Sequence, residues 1–219
     1  MDIKQLTDAF LKAADREKAE KMAAYMKNQF SFHGIQSPER RKITTQLFKD
    51  WQIKTMPVDW GFVTALWEMP EREYQYVALD YLKRMQKCLD AGDLPKIKKL
   101  ITTKSWWDTV DILASNVTGQ IVRAHPDQAE LMDEWIEDDN LWVRRTAILH
   151  QLSYKNETDQ DRLFSYCRIH GSDPEFFIAK AIGWALREYG KTSPQAVTAF
   201  VERTALQKLS KREALKYLK

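Results

Sequence analysis

Trp106-Trp107-Asp108-Thr109-Val110-Asp111-Ile112 lines up with three other stretches of the same chain: Glu73-Tyr74-Gln75-Tyr76-Val77-Ala78-Leu79, Trp142-Val143-Arg144-Arg145-Thr146-Ala147-Ile148 and Phe176-Phe177-Ile178-Ala179-Lys180-Ala181-Ile182. Their sixth positions, 78, 111, 147 and 181, lie 33, 36 and 34 residues apart. Within and around the segments apolar residues recur at helical spacing. A period of this length belongs to pairs of helices that cannot bury an apolar face alone and share a core with their neighbours. The expected fold is therefore all-α, an α-solenoid in which the second helices of successive pairs line a concave surface suited to an elongated partner.

The rest of the chain agrees with a helical reading. Ser37-Pro38-Glu39, Pro70-Glu71-Arg72, Asp93-Leu94-Pro95, Asp173-Pro174-Glu175 and Ser193-Pro194 are helix-start signals, a small polar residue followed by proline or acids. Roughly ten to twelve helices are predicted on this pattern. Seven glycines and seven prolines in 219 residues leave little for a loop-rich or all-β fold. That length suffices for one domain, 1–219, with a sizeable core. Cys88 and Cys167 have no paired spacing, which argues against a disulfide framework or zinc ribbon. The start Met1-Asp2-Ile3-Lys4-Gln5 lacks the apolar core of a signal peptide, and no apolar run approaches the roughly 20 residues of a membrane helix. A soluble cytoplasmic protein is expected.

Charge is unevenly spread. Residues 140–219 hold fourteen Lys+Arg against eight Asp+Glu, and the remainder holds twenty against twenty-three. The basic surplus in the last third permits an anionic polymer as partner. On the repeated helices Trp107, Trp142, Phe177 and Trp184 are interleaved with Arg144, Arg145, Lys180 and Arg187, a mixture that suits cations on phosphates and rings against bases or sugars. Any one of these tryptophans is equally at home in a core. Trp106 and Trp107 cannot face the same way, so one is expected inside and the other on the groove. The six acids between Glu130 and Asp139 read as the solvated face of a helix.

Asp111 stands where the aligned segments carry alanine, so a carboxylate occupies a register that the scaffold fills with a small apolar group. Such a carboxylate must be hydrogen-bonded or paired. One reading is a structural ion pair with Arg145 or another base. The other is a fixed negative charge aimed at a developing cation, with Trp107 one turn away offering an indole face that attracts cations. His33, His125, His150 and His170 show no metal-ligand spacing, so no metal is expected. GxGxxG, GxxxxGK[ST] and GxSxG are all missing, and no cofactor is expected either.

Four stretches together carry a family resemblance: Tyr25-Met-Lys-Asn28 with Gly34-Ile-Gln-Ser-Pro-Glu-Arg-Arg41, Lys104-Ser-Trp-Trp-Asp-Thr-Val-Asp111, Trp142-Val-Arg-Arg145-Thr-Ala-Ile-Leu149, and Ala181-Ile-Gly-Trp184-Ala-Leu-Arg-Glu-Tyr189. Over nearly its whole length the chain resembles the AlkD-type DNA alkylation repair enzymes, glycosylases built from HEAT-like repeats. His33 departs from the pattern, standing where an apolar residue is expected before Gly34. The resemblance implies a catalytic aspartate at Asp111, flanking tryptophans at Trp107 and Trp184, a DNA-contacting arginine at Arg145 and a groove-lining tyrosine at Tyr25. Arg41, Lys104, Arg144, Lys180, Lys211 and Arg212 are further candidates for DNA contact along a basic, aromatic-lined groove. The implied substrate is double-stranded DNA carrying purines alkylated at N3 or N7, such as 3-methyladenine or 7-methylguanine. The implied mechanism is electrostatic, without base flipping, and the implied state is a monomer. The competing reading is a helical-repeat scaffold that binds nucleic acid or protein without chemistry. An RNA-reading repeat protein would need a base-reading pair in every repeat, which these segments lack.

Overall fold

A computed structural model describes residues 1–217 of the chain, and among them the regular structure is helical, with an isolated bridge between Ser31 and Glu71 as the extended pairing. The predicted all-α class holds. The helices gather into two compact units, Met1–Leu89 and Asp90–Lys219. Among the described residues no helix is long and apolar enough to cross a membrane.

The first unit contains α1 (Ile3–Ala13), α2 (Arg16–Tyr25), α3 (Ser37–Asp50), α4 (Trp60–Glu68) and α5 (Arg72–Arg84). Asp2, Asp15 and Asp59 cap α1, α2 and α4, each accepting a backbone N–H from the first turn, which satisfies donors that a helix start leaves free. At the other end of α4, the buried Gln75 amide donates to the carbonyls of Leu66, Trp67 and Met69.

The segment joining α2 to α3 is held by α5. Glu73, fully buried, accepts backbone N–H groups from His33, Gly34 and Ile35 at 3.1, 2.9 and 3.0 Å. Gly34 has φ +88°, and a Cβ there would lie 2.0 Å from the Asp15 carbonyl oxygen, so this crossing admits only glycine. His33 departs from an apolar position because its Nε2 lies 3.0 Å from the hydroxyl of Tyr74, whose phenol burial pushes up to about 12.

The second unit contains α6 (Leu94–Ile101), α7 (Trp107–Ile112), a π-helical turn (Leu113–Thr118) running into α8 (Gly119–Ala124), α9 (Ala129–Trp135), α10 (Leu141–Leu149), α11 (Gln160–Ile169), α12 (Phe176–Gly190), α13 (Pro194–Arg203) and α14 (Lys208–Ala214). Helices begin within a residue or two of the five predicted starts, at Ser37, Arg72, Leu94, Phe176 and Pro194. Within this unit α10 packs between α7 and α12, so the second helices of successive pairs lie side by side, as in an α-solenoid. Ala147 and Ala181 are fully buried at these contacts, as Ala78 is within the first unit. The repeat register read from the sequence is a core register.

Candidate functional site

Two features set the α7 region apart from the other helices. Trp106 is extended, with φ −159° and ψ 160°, and serves as the N-cap, so the helix starts at Trp107 rather than including both indoles. The backbone then widens into the π-helical turn directly after Asp111 and Ile112, where Ser115 Oγ donates to the Asp111 carbonyl at 2.7 Å. Such turns are uncommon and often sit at functional positions.

The change of backbone at Trp106 sends the two indoles apart. Trp106 packs edge-on against Phe177 at 5.2 Å and against Trp142 at 5.9 Å, and its buried Nε1 has no hydrogen-bond partner. Trp107 instead lines a pocket of about 260 Å³ together with Trp184, Phe176, Phe177, Arg145, Lys180, Arg187 and Glu213. Trp142, expected on the groove, is 9% exposed and belongs to the aromatic cluster, its ring 4.9 Å from that of Phe177. A larger depression of about 490 Å³ along the other side of α12, lined by Leu152, Ala185 and Tyr189, has its charged Glu188 and Lys191 paired to each other at 2.7 Å. It offers no comparable group of aromatic and ionic side chains.

Asp111 is paired with Arg145. Nε donates to Oδ1 at 2.7 Å and Nη2 to Oδ2 at 2.9 Å, while Nη1 donates to the Phe177 carbonyl in the first turn of α12. The side chains are 15% and 5% exposed respectively. Burial holds the Asp111 carboxyl above its ordinary range, opposed by the hydrogen bonds and charge of Arg145. Each carboxylate oxygen keeps lone-pair capacity beyond the one bond to Arg145.

This geometry gives Arg145, expected as a phosphate contact, an internal role as well. Three of its five N–H donors are engaged inside the protein, so it fixes Asp111 and joins α10 to α12, while its side chain also lines the pocket. Arg144 is likewise turned inward, with Nη1 2.8 Å from the carbonyl oxygens of both Asp138 and Asp139. It braces the loop before α10 rather than offering a free cation.

The remaining predicted residues are less deeply enclosed. Lys180 reaches the pocket and pairs with Glu213 at 3.0 Å. Lys211 is half-buried, Arg212 is exposed, and Lys104 is half-buried at a left-handed φ of 52°. In the first unit Arg41 is exposed on α3 and Tyr25 is 72% exposed at the end of α2.

Phe176 and Glu213 belong to the pocket and were not among the predicted residues. Phe176 is 56% exposed at the start of α12, an aromatic ring left in solvent. Glu213 accepts from Lys180 and from Arg187, and the hydrogen bond from Lys180 leads in holding its carboxyl below the usual range. Among the described residues no three His, Cys, Asp or Glu side chains gather as a metal site would require.

The chain matches the model of the family described as DNA alkylation repair enzyme over residues 6–218. A solved structure described as a predicted DNA alkylation repair enzyme from Enterococcus faecalis is 37% identical, with a TM-score of 0.87 and coverage of 94% of this chain and 96% of that one. A second solved structure, smu.31 from Streptococcus mutans UA159, is 17% identical with a TM-score of 0.59, covering 82% of this chain and 100% of that one, and is a likeness of fold alone. No curated protein matches the chain. With the match spanning nearly every residue and the first structural relative agreeing along almost its full length, this chain belongs to the DNA alkylation repair enzyme family.

Proposed function

We propose that the protein is a DNA glycosylase that hydrolyses the N-glycosidic bond of cationic N3- or N7-alkylated purines, such as 3-methyladenine and 7-methylguanine, in duplex DNA. One observation carries this reading: a largely buried carboxylate, Asp111, occupies a core alanine register and is paired with Arg145, which lines a pocket together with Trp107 and Trp184. A scaffold would need that carboxylate only as the partner of Arg145.

An N3- or N7-alkylated purine already bears positive charge and leaves as a neutral base, so its departure requires no general acid. The remaining work is to stabilise positive charge on the deoxyribose and to place a water on its carbon. Asp111, held in one orientation by Arg145, supplies the negative charge and an acceptor for that water. The faces of Trp107 and Trp184 add attraction for a cationic sugar of roughly 0.5–2 kcal/mol each. The pocket has aromatic walls and ion pairs rather than a polar base-reading lining, which supports cleavage without flipping the lesion into a cavity.

Phosphates then fall to cations nearer the surface than Arg145. Lys180, Lys211, Arg212 and Lys104 in the second unit, with Arg41 and Tyr25 in the first, are the proposed DNA contacts. The protein is taken to act as a cytoplasmic monomer without a metal or cofactor.

The ion pair itself favours one rival, a scaffold in which Asp111 only neutralises Arg145. Incubating the protein with N-methylated duplex DNA and measuring free methylated base and abasic sites separates the two. The glycosylase reading expects both products in equal amounts, and their absence at stoichiometric enzyme leaves the scaffold.

A further inference from the structure

We propose that Glu213 is a positioning residue: it aims the cations Lys180 and Arg187 on either side of Trp184, and its own charge lowers the protein's affinity for DNA. The proposal rests on the glycosylase reading for its activity arm, while its binding arm stands apart from it.

Lys180, Trp184 and Arg187 succeed one another at helical spacing along α12, so the two cations flank the indole one turn to each side. Long basic side chains on an open helix face sample many rotamers. Here a single carboxylate from the neighbouring helix α14 gathers both, with Oε1 3.0 Å from Lys180 Nζ and Oε2 2.7 Å from Arg187 Nη1. Glu213 is 17% exposed, and it lines the same pocket as Trp107 and Trp184.

The sequence makes room for this carboxylate. A Cβ on Gly183 would lie 2.6 Å from Glu213 Cβ and 3.1 Å from the Ser210 carbonyl oxygen, so glycine at 183 is what lets α14 approach. The buried Ser210 hydroxyl anchors the same helix by donating to the Ala179 carbonyl at 2.9 Å. Lys180 retains two further donors, and Arg187 Nε and Nη2 have no partner among the described residues. That edge of the guanidinium matches a phosphate.

A carboxylate in this place opposes the binding of a polyanion. Glu213 and Asp111 together offset two of the three positive charges lining the pocket, those of Arg145, Lys180 and Arg187. A surface selected only to hold DNA would do better without Glu213. What it gives in return is two phosphate donors fixed in direction next to the reacting sugar.

The test uses the full-length protein with Glu213→Gln and Glu213→Asp, reading affinity for undamaged duplex against salt and single-turnover excision from N-methylated duplex. Glu213→Gln is expected to bind undamaged DNA about 3- to 10-fold more tightly at low salt, to steepen the salt slope by about one counterion, and to excise about 10-fold more slowly. Glu213→Asp keeps the charge but withdraws it by one methylene, so wild-type affinity and slope with slowed excision are expected. Affinity and excision falling together, both staying at wild-type values, or a Glu213→Asp that excises normally would each overturn the proposal. A wild-type protein that excises nothing sinks the glycosylase reading instead, and the salt slope of Glu213→Gln, which needs no turnover, still decides whether Glu213 restrains binding.

Discussion

Arg145 grips both carboxylate oxygens of Asp111 across 34 residues of sequence while its third nitrogen donates to Phe177 on the next helix. A bidentate pair of this kind holds its acid in one orientation, which a surface lysine could not do. It also binds three helices of the second unit, α7, α10 and α12, through one guanidinium. Stability and any catalytic role of Asp111 are therefore coupled, and separating them takes variants that remove one partner's charge at a time.

Asp111→Asn removes the charge and keeps the shape. Release of 3-methyladenine or 7-methylguanine from methylated duplex is expected to fall at least ~10²-fold, the scale for one preorganised electrostatic group. Circular dichroism should retain the helical spectrum, with a lowered melting temperature because Arg145 stays buried without its counter-charge. Wild-type excision by this variant would remove Asp111 from the mechanism.

Arg145→Ala leaves the Asp111 carboxylate desolvated and unpaired, for which a loss of roughly 3–5 kcal/mol in urea unfolding is expected. Because Arg145 faces inward, the salt slope of DNA binding should be unchanged. A phosphate contact would instead lower it by about 0.9. Exposed Arg212 provides the comparison: Arg212→Ala should lower the slope and leave the unfolding curve in place.

His150 sits fully buried at the end of α10 with Nδ1 2.6 Å from the Ala147 carbonyl oxygen, and burial pushes its pKa from 6.5 down to about 4. The folded protein therefore keeps this ring neutral while the unfolded chain takes up a proton. Stability from this group is whole above pH 6.5 and declines as pH falls toward 4, by roughly 3 kcal/mol in total. Unfolding free energies measured at several pH values across that window should show the slope, and an NMR titration should find one histidine ring still neutral at pH 5.5.

Gly34→Ala places a methyl group against the Asp15 carbonyl at a backbone conformation that L residues avoid. Loss on the order of 3 kcal/mol or more is expected, read by chemical unfolding of the full-length protein. A neutral result would mean that the α2–α3 crossing yields more easily than its contacts suggest.

Much of the fold was legible because its signals are local. Helix starts such as Ser37-Pro38 and Ser193-Pro194 act within one turn, and the alanines at 78, 147 and 181 report a contact that recurs at a fixed interval. The asparagine cap of α10 and the aspartate cap of α11 belong to the same local grammar. Asp111 stood out for the same reason, as a charge interrupting a pattern. What the pattern does not carry is the choice of partner.

Arg145 and Arg144 are adjacent in sequence, and nothing local says that one reaches Asp111 while the other braces the carbonyls of Asp138 and Asp139. Sequence reasoning offered Arg145 both as a partner of Asp111 and as a DNA contact, and Arg144 as a DNA contact, because an arginine's direction is fixed by what surrounds it in space. Glu213 escaped notice for a related reason: inside Lys211-Arg212-Glu213 it reads as one acid in a charged surface run. Its only sequence trace is indirect, a glycine at 183 in the middle of a long helix, where the fold must be admitting something close.

The wide turn at Leu113–Thr118 sets the angular phase between α7 on one side of it and α8 on the other. An α-helix advances about 100° per residue. Adding one residue to this turn, which is already widened, would leave nothing to absorb it and swing Trp107 and Asp111 through roughly that angle relative to α8. A one-residue insertion here should leave a helical protein whose aspartate no longer meets its arginine, which makes the spacing of this stretch as consequential as the identity of its residues.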